Sequence, residues 1–218
     1  MDVTLTAVLG VAAIALGMVL TPGPNMIYLV SRTITQGRAA GLVSLGGVAV
    51  GFACYLLATT LGLTAIFTAV PALYTVIKFL GALYLGWLAW QALRLNGRSA
   101  FEVGQLPVDS RRRLFLMGWL TNLLNPKIAV MYVALIPQFL DVSRGDLWLQ
   151  SLLLGSVQIS VALTVNAAIV LAAGSIAAFL ATRPTWLRLQ RYVMGSVLGI
   201  LAAKLVVDDA RPPATALP

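Results

Sequence analysis

Apolar residues in this chain come in long runs separated by short polar ones. A membrane span takes about 20 apolar residues, and six stretches reach that length: 5–31, 40–67, 72–95, 114–140, 148–182 and 187–207. Two of the six are interrupted. The first carries Thr21-Pro22-Gly23-Pro24-Asn25, and the fourth carries Asn122-Leu123-Leu124-Asn125-Pro126-Lys127. Proline has no backbone N–H and clashes with the carbonyl four residues back, so each interruption breaks or kinks its helix. The fifth stretch is the longest. It is read as a single span that tilts, starts in the interface at Trp148, or bends near Asn166.

The polar runs between these stretches alternate in charge. One set holds Arg32 and Arg38, then Arg94, Arg98, Arg111, Arg112 and Arg113, then Arg183, Arg188 and Arg191. The other set offers only Arg144 and Arg211, with Lys78 and Lys204 near helix ends, where long stems snorkel. Basic loops stay cytoplasmic, so both termini are predicted outside. Three spans per half make the halves inverted. Leu80-Gly81-Ala82-Leu83-Tyr84-Leu85-Gly86 in one half echoes Met194-Gly195-Ser196-Val197-Leu198-Gly199 in the other. The expected organisation is a first three-helix repeat (1–95), a cytoplasmic linker (96–113), a second three-helix repeat (114–209) and a tail (210–218). The predicted fold class is all-α integral membrane, with two inverted repeats whose first helices are broken at proline. Paired interrupted helices of this kind point to a transporter's binding site near the bilayer midplane.

Composition agrees with the pattern. The 218 residues are 60% hydrophobic and 10% charged, against about a quarter charged in soluble domains. The net charge of +8 would suggest nucleic acid in a soluble protein, but here it sits in loops where it sets topology, so no nucleic-acid partner is expected. Met1-Asp2 lacks a basic n-region, so the first stretch is expected to stay as a membrane helix rather than a cleaved signal. With one cysteine, Cys54, and no histidine, a disulfide or a CxxC pair within the chain, His-based metal sites and Ser-His catalysis are excluded, and GxSxG is absent. Neither an enzyme nor a cofactor is expected. No Asp or Glu falls mid-span: Asp141, Asp208 and Asp209 sit near outer ends. Divalent-metal carriage and a cationic substrate side chain therefore lack a buried counter-charge.

The candidate chemistry lies at the two breaks. Thr21, Pro22, Gly23, Pro24 and Asn25 leave backbone groups free, and a new helix starting near Asn25 presents N–H groups that can hold a carboxylate. Lys127 is expected about 20 Å into its span, a depth at which a lysine is a functional-site hypothesis, as anion ligand or as titrating group. Each break also admits a packing reading: a kink satisfied by neighbours, with Lys127 paired to carbonyls freed by Pro126. Asn122, Thr121, Gln158 and Asn166 suit a site or an interhelical bridge equally. Gly41, Gly46, Gly47 and Gly51 read as a close-packing face that also permits, without requiring, a homodimer. The five tryptophans, at 87, 90, 119, 148 and 186, read as interface anchors.

Taken together, Thr-Pro-Gly-Pro-Asn after an apolar helix, the glycine-rich second helix, Gly81-Ala82-Leu83-Tyr84-Leu85 and Leu124-Asn125-Pro126-Lys127 resemble the LysE/RhtB family of bacterial amino-acid exporters, over essentially the whole chain. The resemblance implies export of amino acids such as threonine, homoserine, leucine or lysine across the inner membrane, coupled to protons. On these residues a zwitterion would sit between the broken helices. Its carboxylate would meet Lys127 or the helix end near Asn25. Its ammonium would meet carbonyls freed by Pro22, Pro24 and Pro126 and the side-chain oxygens of Thr21, Asn25 and Asn125. The apolar surroundings favour a neutral side chain. A channel, or a transporter of another small solute on the same fold, is the alternative.

Overall fold

The computed structural model describes residues 3–21, 23–69, 71–93, 107–181 and 184–207. Pro22, Arg94, Arg98, Arg183, Asp208, Asp209, Arg211, the linker's 96–106 and the tail lie outside the described residues, as do the side chains of Lys78, Trp186, Arg188, Arg191 and Lys204. The described residues are helical, with no strand among them.

The first apolar stretch folds as α1 (Leu5–Leu20) and α2 (Pro24–Gln36), whose axes differ by 54°. Thr4 opens α1 by accepting from the Ala7 N–H at 3.1 Å. The helix stops where its next donor, residue 22, is a proline with no N–H to give to the Met18 carbonyl. Gly23 and Pro24 then open α2, with Pro24 in the first helical turn, where a missing N–H does no harm. Gly37, at φ 86°, ends it in a conformation that favours glycine.

Two long helices follow, α3 (Arg38–Ala69) and α4 (Pro71–Leu93). The fourth stretch is again divided. Its first part, α5 (Arg111–Leu123), is opened by Ser110, and its second, α6 (Pro126–Val130), is opened by Asn125, with a 48° bend between the two parts. Beyond α6 the chain is less regular than the apolar pattern suggests. It widens to a π turn over Met131–Leu135 and tightens to a 3₁₀ turn over Ile136–Phe139. Pro137 is the local cause, since it cannot donate to the carbonyl of Val133. The next carbonyl, Ala134, is taken by the Gln138 amide at 2.7 Å. The chain closes with α7 (Leu147–Ala181), one unbroken helix through Asn166, and α8 (Pro184–Val207).

Among the described residues, α3 and α7 are each long and apolar enough to cross a membrane, and the bent pairs α1–α2 and α5–α6 qualify if each counts as one span. α4 and α8 are 23 and 24 residues long and pack against each other. One core joins both halves, with Leu29, Phe52, Leu85, Tyr132, Leu154 and Leu198 almost fully buried in it.

The glycine face of α3 is spent inside the chain. A Cβ on Gly47 would strike the Phe115 carbonyl of α5, and one on Gly118 would strike the Ser44 carbonyl of α3. Only glycine lets these backbones approach so closely.

Arg32 departs from its expected place among loop charges. α2 runs past it, and its side chain is buried. The guanidinium pairs with Asp109 at 2.8 Å, donates to the Pro107 carbonyl at 3.3 Å and lies 5.9 Å over the Tyr28 ring. Arg113 holds the other Asp109 oxygen at 3.1 Å. Asp109 therefore clamps α2 to the start of α5, reinforced by the Tyr28 hydroxyl donating to the Leu114 carbonyl at 2.6 Å.

Candidate functional site

The two breaks meet, and Lys127 joins them. Its backbone N–H, in the first turn of α6, is held by the Asn125 side chain at 3.1 Å. Its ammonium crosses to the other break and donates to the carbonyls of Met18, at 2.8 Å, and Thr21, at 2.7 Å. Met18 is the residue whose helical partner Pro22 cannot supply. A lysine thus does at a distance what an amide N–H does in an unbroken helix, and its charge lies at the negative end of the α1 dipole. The side chain is buried, yet an ammonium has three protons to donate, and two are engaged. Gly23 makes the approach possible: a Cβ there would stand 2.9 Å from the Lys127 Nζ.

The residues singled out in the sequence divide into two groups. Asn25 and Lys127 line a cavity between the broken helices, and the Asn25 Oδ1 is buried without a partner among the described residues. Thr21, Gly23, Pro24, Asn125 and Pro126 build the breaks around it, and Pro22 lies outside the described residues. The Thr21 hydroxyl donates back to the Gly17 carbonyl at 2.8 Å, so this residue offers Lys127 its backbone rather than its side chain. Asn122 is fully buried beside Gly51, and neither end of its amide has a partner among the described residues. The carbonyl of Leu123, at the end of α5, is capped from α3 by the Tyr55 hydroxyl at 2.8 Å.

The rest of the cavity wall is largely apolar: Ala15 and Met18 of α1, Phe52 of α3, and Met131 of the π turn. The pattern of apolar stretches marked these only as span residues. α7 contributes Gln158, Ala162 and Asn166. The cavity measures about 30 Å³, room for about one water, whereas sites filled by a small organic ligand run to several hundred Å³. In this conformation the space beside Lys127 is therefore too small to hold such a ligand. Such a site can bind and release. Lys127 is the one ionisable side chain among the described lining residues.

Comparison with known proteins agrees with that geometry. The family model described as LysE type translocator matches residues 16–209, a range that includes both breaks, the clamp and all of the described cavity lining but Ala15. The chain belongs to this family. It is accordingly a multi-pass membrane protein of a transporter family, not of an enzyme family. Among its relatives, a leucine efflux protein of Enterobacter sp. (strain 638) is 27% identical, over 86% of this chain and 89% of the relative. The membrane protein YrhP of Bacillus subtilis (strain 168) is 29% identical, over 66% of this chain and 72% of the relative. A membrane protein of Vibrio cholerae is 32% identical, over 65% of this chain and 68% of the relative. No solved structure matches the chain.

Proposed function

We propose that this translocator is a secondary-active exporter of neutral amino acids of the leucine class, working by alternating access and coupled to protons. The observation that carries the reading is the buried Lys127 ammonium at the junction of two broken helices, inside a wall of methionine, phenylalanine and alanine. The cation suits an α-carboxylate, and the apolar wall suits an uncharged side chain. Relatives named leucine efflux proteins support the substrate class.

Alternating access between inverted repeats, 1–95 and 114–209, is supported by reciprocal packing. The broken segment of each half packs on the long unbroken helix of the other, α1 on α7 and α5 on α3. The proposed location is the bacterial inner membrane, six spans with both termini outside, on the charge of the loops. Proton coupling rests on Lys127 as the titrating group. In the closed state its ammonium holds the two carbonyls. A bound carboxylate competes for it, and a change in its protonation alters the balance between the two.

The test is uptake of a labelled amino-acid panel into inside-out vesicles, with and without a proton gradient. Saturable uptake of leucine-class substrates, lost with an uncoupler, is the expected result. No uptake of any amino acid by confirmed, inserted protein overturns the reading in favour of another small solute or a channel.

A further inference from the structure

The closed cavity has a polarity that Lys127 alone does not explain. Gln158, Ala162 and Asn166 lie at successive i, i+4 positions of α7, and all three line it. Gln158 and Asn166 are both buried, and each amide has one end engaged.

The Asn166 Nδ2 donates to the Ala162 carbonyl at 2.8 Å. A carbonyl can only accept, so this bond fixes the amide with its nitrogen toward the helix and its Oδ1 away from it. The Oδ1 accepts no hydrogen bond from the described residues. The Gln158 Oε1 accepts from the Tyr132 hydroxyl at 2.6 Å. Tyr132 is itself buried, and its proton needs an acceptor. That need fixes the glutamine with its oxygen toward the phenol and its two Nε2 protons free. They have no partner among the described residues. Tyr132 is held in turn by stacking on Tyr55, ring centroids 5.6 Å apart.

α7 therefore presents a fixed donor at one position and a fixed acceptor two turns along, about 12 Å apart in Cα rise. Ala162 between them adds nothing beyond a Cβ. A carboxylate and an ammonium on one carbon offer the acceptor and the donor that this pair of amides complements. Lys127 stands on the donor side of this chemistry, as a further partner for an anion.

We infer that Gln158 and Asn166 bind the two charged ends of the transported zwitterion, Gln158 Nε2 taking its α-carboxylate together with Lys127 and Asn166 Oδ1 taking its α-ammonium, and that Tyr132 is the residue that positions Gln158. The inference rests on the amino-acid reading above and adds ligands to the same cavity.

The experiment is exchange of labelled L-leucine in proteoliposomes of the purified protein. The competitors are leucinol, which lacks the carboxylate, and 4-methylpentanoate, which lacks the ammonium. A site that hydrogen-bonds both ends rejects both analogues, so each is expected to compete at least roughly tenfold more weakly than leucine in the unmodified protein. Gln158→Leu is expected to raise the KM for leucine by roughly tenfold with Vmax nearly unchanged, and to narrow the preference for leucine over leucinol, Lys127 still holding the carboxylate. Asn166→Leu is expected to do the reverse, raising 4-methylpentanoate relative to leucine. Tyr132→Phe, which frees Gln158 to turn, is expected to move the analogue ranking in the Gln158 direction by a smaller factor. A purely structural role for Tyr132 would lower transport without changing that ranking. Should Gln158→Leu fail to insert, Gln158→Glu keeps the shape and removes the donor, and is expected to reject leucine while still exchanging leucinol. Normal leucine exchange with an unchanged ranking in both the Gln158 and Asn166 variants overturns the assignment and leaves the exporter reading standing. Failure of the unmodified protein to exchange any amino acid brings down both.

Discussion

The two broken segments look alike in outline and differ in what they offer. The first is broken by two prolines and a glycine, has no side-chain cap on its second helix and bends by 54°. The second is broken by one proline, is capped by the Asn125 side chain and bends by 48°. The first leaves acceptors, the carbonyls of Met18 and Thr21. The second supplies the cation that satisfies them. Proline frees a carbonyl wherever it interrupts a helix, but only the second break carries a charge to spend on the other. On the proposed function, a substrate carboxylate competes with the protein's own backbone for Lys127.

The largest expected effect tests this asymmetry directly. Lys127→Ala removes the link between the breaks and the proposed anion ligand together, and is expected to abolish export while the protein still reaches the membrane. Near-normal uptake into vesicles by that variant would sink the site assignment.

The next tests the clamp that holds the second helix of the first break. Arg32→Ala leaves Asp109 buried with only Arg113 beside it. Removing one partner of a buried pair costs about 3–5 kcal/mol, and with Arg113 remaining the expected loss is near 3 kcal/mol, read as a lower unfolding temperature in detergent. An unchanged unfolding temperature would mean that the clamp contributes nothing to α2.

Matched substitutions at the two helix starts sharpen the comparison further. At Gly23 the backbone is extended, φ −167°, a conformation any residue adopts, so Gly23→Ala acts only by pushing on the Lys127 Nζ. It is expected to lower transport by roughly tenfold, about 1.4 kcal/mol, with little loss of stability. Asn125→Ala removes an N-cap and is expected to cost about 1 kcal/mol of stability. Equal effects of the two on both readouts would show that the breaks are interchangeable.

The smallest effect lies beyond the second break, in the turn before α7. The Ser143 hydroxyl and then the Arg144 guanidinium hold the Asp141 carboxyl below its usual range. Because its folded-state value is depressed, its contribution is present above the ordinary carboxylate range and is lost as pH falls through the lower folded value. Asp141→Asn is expected to flatten stability against pH on the acid side only, as followed by thermal unfolding from pH 3 to 7. A change confined to neutral pH would contradict it.

Much of the fold was legible because its causes are local. Proline's missing N–H and the length of each apolar run are properties of short segments, so both breaks and the helices around them stand nearly where the pattern places them. The fifth stretch, ambiguous between bent and straight, is a continuous helix because nothing within it removes a backbone donor, and its one buried asparagine back-bonds to its own turn. The irregular turns after α6 were missed, although Pro137 was a visible cause. Arg32 was misplaced because a basic residue near a span end reads as a loop charge until an acidic partner is found, and Asp109 lies 77 residues further along.

The sequence by itself determined the membrane class, the two breaks, the absence of a mid-span acid and the single lysine at the second break. Each follows from composition or from covalent backbone chemistry, which needs no partner. The tertiary structure decided what those groups meet. The carbonyls that accept from Lys127 lie 109 and 106 residues before it. The Gln158 and Asn166 amides face one cavity with opposite polarity because a phenol on one side and a carbonyl on the other hold them. Which acceptor a buried donor finds depends on how helices from the two halves pack, and no short segment encodes that.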